Sequence, residues 1–124
     1  MSIRLIRIAA VYLAIGVTMG IVMGITHQFS IAPVHAHVNL LGWASLALCG
    51  LIHLQFPHLQ RHWLAKAHFG LHNAGLPVAM IALFFVLRGH AALRPLVGLG
   101  SATAGLGVVC FAVLVLRQLR APVR

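Results

Sequence analysis

The chain has 124 residues, 61% of them hydrophobic and only 7% charged, with nine lysines and arginines, nine histidines and neither aspartate nor glutamate. Soluble domains carry roughly 25% charged residues, so this composition excludes a soluble globular domain and a disordered chain. It points to one small all-α domain in a membrane, and the missing carboxylates exclude carboxylate acid–base catalysis and carboxylate-bound calcium or magnesium.

The first apolar segment runs from about residue 8 to 25. Arg4 and Arg7 precede it as in a signal peptide, but its length and the lack of a nearby A-x-A site favour a retained anchor. Gly16, Gly20 and Gly24 give it a double G-x-x-x-G stripe for close helix packing. The second segment spans about 38–54, the third 69–87 and the fourth 96–116. Ser101 and Gly105 are the expected small pair on the fourth. Each segment suits a bilayer core that needs about 20 helical residues. Period-2 alternation is absent, which disfavours a barrel. Cys49 and Cys110 fall inside apolar runs as small core residues.

The basic residues sit at the segment ends, which argues for lipid headgroups and against nucleic acid. Arg4, Arg7, Arg61, Lys66, Arg117, Arg120 and Arg124 belong to one side, expected to be the cytoplasm of a bacterial-type inner membrane. Both termini then face inward. The loop from Thr26 to His37 has no lysine or arginine. Arg88 and Arg94 fall on the outward side against the rule, so they are expected to meet an anion there.

This topology places His27, His35, His37 and His90 at the outer surface and His53, His58, His62, His68 and His72 at or near the inner one. His35 and His37 are two residues apart and diverge by about 200° on a helix. The pair cannot readily chelate one ion, but it can offer one imidazole to each of two neighbouring sites. His68 and His72 share a face at i, i+4, a spacing that suits one metal ion. His53 is the obvious third ligand of that second site. A structural role for the pair, with hydrogen bonds to loop carbonyls, is equally open.

The stretch from His35 to Pro57 reads HAHVNLLGWASLALCGLIHLQFP. It resembles the tenth helix of subunit I of the heme–copper oxidases, most closely the cbb type, through the H-x-H pair, Leu41-Gly42-Trp43, Gly50 and Pro57. The likeness extends through His68-Phe69 and Gly75 to Arg88 and Arg94, where the oxidase loop faces heme propionates. It implies that His35 ligates the high-spin heme and His37 the low-spin heme, with Arg88 and Arg94 at the propionates; His27 is a further candidate at the cofactor. A homotrimer of four-helix chains would rebuild the oxidase's twelve-helix outline with threefold symmetry. The adjacent histidines of the oxidase copper site, its cross-linked tyrosine and its carboxylates have no counterpart here; Tyr12, the only tyrosine, is expected deep in the first helix.

The leading expectation is a heme b membrane cytochrome that transfers electrons through bis-histidine iron, with a donor or acceptor the sequence does not identify. The alternatives are a histidine-rich copper or zinc binder, and a heme-based nitric oxide or oxygen reductase or sensor, an oxidoreductase without a complete copper–tyrosine site. Copper is thus the second cofactor the histidines admit. For the heme arrangement, His35 from one protomer with His37 from the next is expected; the rival pairs His37 with His27 or His90 of the same chain.

Overall fold

The computed structural model describes residues 1–119, so Arg120 and Arg124, placed above on the inner side, lie outside it. It is all-helical, with four helices long and apolar enough to cross a membrane: α1 (Ser2–Thr26), α2 (Ala32–Gln55), α3 (Trp63–Leu87) and α4 (Ala91–Gln118). A 3₁₀ turn, Pro57–Arg61, joins α2 to α3, and α4 opens with a 3₁₀ turn at Ala91–Leu93.

All four helices begin earlier than hydropathy places them. α1 runs through Arg4 and Arg7 because exposed arginines can lie over apolar surface without breaking a helix. α2 starts at Ala32 because Pro33 fits the first turn, where its missing N–H is not needed. α3 starts at Trp63, where His62 caps it by accepting from the Leu64 N–H at 3.2 Å. The Thr26–His37 loop therefore shrinks to residues 27–31, and His35 and His37 lie in the first turns of α2. Lys66 and His68 likewise belong to α3.

The helices alternate in direction. The Ser2 amide lies 3.3 Å from Gln60 Oε1, and His58 Nε2 lies 3.4 Å from the Gln118 carbonyl. The N-terminus, the α2–α3 turn and the end of α4 thus share one end of the bundle. The α1–α2 turn, with His27 in the left-handed region at φ 52°, and the α3–α4 turn share the other.

Two tightly packed hairpins, α1–α2 and α3–α4, make up the bundle. In the first, Gly16 and Gly20 face Asn39 and His35 of α2, and Gly42 faces the Tyr12 ring; nothing approaches Gly24. In the second, the backbones meet at Gly75, Ala79, Gly100, Ala104 and Gly107. A Cβ on Gly75 would lie 2.6 Å from the Gly100 carbonyl oxygen, and one on Gly107 would lie 2.7 Å from the His72 nitrogen. Ser101 and Gly105, the pair expected to pack, are exposed instead, and nothing lies within 4 Å of a Cβ on Gly105. The small-residue stripe that α4 turns inward is one position to the N-terminal side.

The hairpins join through Leu5, Ala9, Leu46 and Cys49, packed with Phe69 and Phe111. Both cysteines are free thiols. Between α1, the start of α2 and α3 the hairpins diverge around an apolar cleft of about 700 Å³, whose walls include Tyr12, Met19, Pro77 and Phe84.

Candidate functional site

His35 and His37 emerge from opposite sides of α2. His35 is half-buried and turned toward α1, where Gly20 leaves room for its ring: a Cβ there would stand 3.0 Å from His35 Cε1. Its Nδ1 is 2.9 Å from the Gly16 carbonyl oxygen. A carbonyl can only accept, so the proton sits on Nδ1 and Nε2 keeps its lone pair. Asn39 Nδ2 is 3.3 Å from the same Nδ1 but donates at 2.9 Å to the His35 carbonyl oxygen, one helical turn back. The Gly16 carbonyl therefore fixes this ring, and Asn39 ties the His35 main chain beside it.

His37 is exposed and has the same tautomer. Its Nδ1–H donates to the Pro33 carbonyl at 2.7 Å, which again leaves Nε2 as the lone-pair nitrogen. The ring borders a cavity of about 510 Å³ between α2, α3 and α4, walled by Leu76, Leu83, Val97, Gly105 and Val108, with Ser101 beside them. That volume lies in the usual range of small-molecule and cofactor pockets, roughly 300–1,000 Å³. The exposed Ser101 and Gly105 keep this wall low.

Arg88, His90 and Arg94 lie at the same end of the bundle as Leu83 and Val97, and all three are exposed. The Arg88 guanidinium lies over the Phe84 ring at 5.0 Å, and His90 Nδ1–H donates to the Phe85 carbonyl at 3.2 Å. His27 is exposed in the α1–α2 turn at this end too. The chain alone does not bring His27, His35 and His37 into one site.

Directly after His37, α2 winds as a π-helix from Val38 to Ser45. Such windings are rare and often accompany functional sites; composition gave no signal for this one. Its Leu41 carbonyl accepts from His72 Nε2–H at 3.1 Å.

Three of the five histidines expected on the inner side, His53, His68 and His72, do come together around Phe111. His53, His68 and His72 are each 0% exposed. His68 Nδ1–H donates to the Gly107 carbonyl at 3.1 Å. The carbonyls that hold His68 and His72 belong to helices rather than to loops. At 1.5 Å per residue, His72 lies about 13 Å along the 25-residue α3. Among the described residues, no group of three histidine or cysteine side chains is arranged to hold a metal ion. The chain matches no protein-family model, and no curated protein or solved structure matches it significantly.

Proposed function

We propose that this chain is a heme b-binding membrane cytochrome, related to heme–copper oxidase subunit I, that carries electrons as a homotrimer. The observation that carries the proposal is the shared preparation of His35 and His37. Each ring gives its Nδ1 proton to a main-chain carbonyl, at 2.9 Å and 2.7 Å, and keeps Nε2 for a metal. Metal-ligating histidines are characteristically oriented in this way, because the second hydrogen bond fixes the tautomer and raises ligand basicity.

The donor set fits a heme iron better than a free ion. Two neutral imidazoles add no charge of their own, and iron in a porphyrin needs only axial ligands from the protein. When bound, heme b supplies a one-electron iron couple. The chain's residues do the rest. His37 offers its ring beside the largely apolar cavity. Arg88 and Arg94 are exposed at the same end of the bundle as Leu83 and Val97 of this cavity, and they would neutralise the propionates in a chain that has no acids for them to pair with.

His35 and His37 face opposite ways, so one heme takes His35 from one protomer and His37 from the next. Threefold closure satisfies both rings of every chain. Both termini face the cytoplasm, and the hemes lie toward the outer side of a bacterial-type inner membrane.

Single replacement of each histidine tests the proposal. Either His35→Ala or His37→Ala should convert every site to single-histidine ligation, and mixing the two variant chains should restore some bis-histidine sites. A full bis-histidine spectrum in His35→Ala would refute the shared site and leave His37 with His27 or His90 of its own chain.

A further inference from the structure

The interior of the bundle holds a second group of imidazoles, independent of the heme proposal. His53 on α2 and His68 on α3 both pack on the Phe111 ring of α4, with centroids 5.6 Å and 5.0 Å away. His72 stands edge-on to His68 at 5.2 Å. All three side chains are fully buried. His68 and His72 spend their N–H groups on the Gly107 and Leu41 carbonyls. That leaves His68 Nε2 and His72 Nδ1 as bare lone pairs. His53 contributes one N–H and one lone pair. None of these four nitrogen atoms has a protein partner.

The count selects the ligand. Three lone pairs stand against a single donor, so an anion or a carbonyl compound is excluded. A bound cation or an extra proton would place a charge in an apolar interior where the sequence offers no carboxylate to offset it, and such burial is very costly. The Phe111 ring that packs on His53 and His68 supplies no negative group either. A neutral molecule with two donor hydrogens satisfies all but one of these nitrogens. Its two O–H groups can serve His68 Nε2 and His72 Nδ1, its oxygen can take the His53 proton, and the second His53 nitrogen remains the one unpaired acceptor. Buried waters typically make about three such bonds to groups that are otherwise unsatisfied.

We propose that His53, His68 and His72 form a binding site for an internal water molecule. The water links α2 to α3, while the outer hydrogen bonds of the two α3 imidazoles reach Leu41 of α2 and Gly107 of α4. The result is an uncharged polar strut from the inner end of the bundle to its middle.

Two measurements test this. In ¹⁵N-histidine protein reconstituted in lipid, solid-state NMR should find these three rings neutral, with protons on His68 Nδ1 and His72 Nε2. Magnetisation transfer from a water proton should reach the free nitrogens. An imidazolium signal, or rings that receive nothing from water, would overturn the proposal. Stability provides a test of sign. His53→Phe removes two polar atoms, so it should raise the melting temperature if those atoms merely lack partners. It should lower it by several degrees if they hold a water that the other two rings need, and His53→Gln should recover part of the loss. Stoichiometric copper or zinc in the purified protein, lost in His68→Ala, would replace the water by a metal. Heme content in these variants reports separately on His35 and His37.

Discussion

Replacing Gly75 by alanine should separate α3 from α4. The new Cβ would stand 2.6 Å from the Gly100 carbonyl oxygen and would also strike the Ala104 backbone. Both obstacles are main-chain atoms of a helix, so no side chain can swing away. The helices must part by roughly 1 Å to restore ordinary van der Waals contact. Overpacking of this kind costs about 1–3 kcal/mol. The parting also stretches the 3.1 Å bond from His68 to the Gly107 carbonyl, a buried hydrogen bond worth about 1 kcal/mol. The expected destabilisation is therefore about 2–4 kcal/mol. Reversible unfolding in mixed micelles reads it directly, with Gly105→Ala as the control. A Cβ on Gly105 meets nothing within 4 Å, so that variant should stay within about 0.5 kcal/mol of the parent. Equal stability of the two variants would refute the proposed close approach.

Two further outcomes are expected. Changing Arg88 and Arg94 together to glutamine should lower the heme reduction potential and weaken heme retention, because two cations beside the propionates are lost; unchanged heme content and potential would leave these arginines as ordinary headgroup contacts. A reporter fused to the C-terminus should be active in the cytoplasm and inactive in the periplasm, and the reverse would put His35 and His37 at the opposite membrane surface.

The number and order of the helices were legible because four long apolar runs, separated by basic or proline-containing stretches, leave little alternative. Their starts were less legible. Pro33, His35 and the Trp63–His68 stretch lower local hydropathy without interrupting the backbone ladder, so hydropathy cuts α2 and α3 short. The α3–α4 interface could not be read from α4 alone. Gly100 with Ala104 and Ser101 with Gly105 have the same spacing, and only the position of Gly75 and Ala79 on the partner helix decides between them. The opposite directions of His35 and His37 follow from helix geometry. What holds each ring does not, since the Gly16 and Pro33 carbonyls are main-chain atoms that any sequence carries. The π winding at Val38–Ser45 left no compositional trace, and neither did the Leu41 carbonyl that meets His72.

The visible absorption spectrum of the purified protein, before and after reduction, reports directly on the proposed heme. A red protein is expected, with the sharp reduced bands of a six-coordinate, low-spin b-type heme, and those bands should be lost when His35 and His37 are both replaced. A colourless protein, or one whose heme spectrum survives the double replacement, would contradict the proposal.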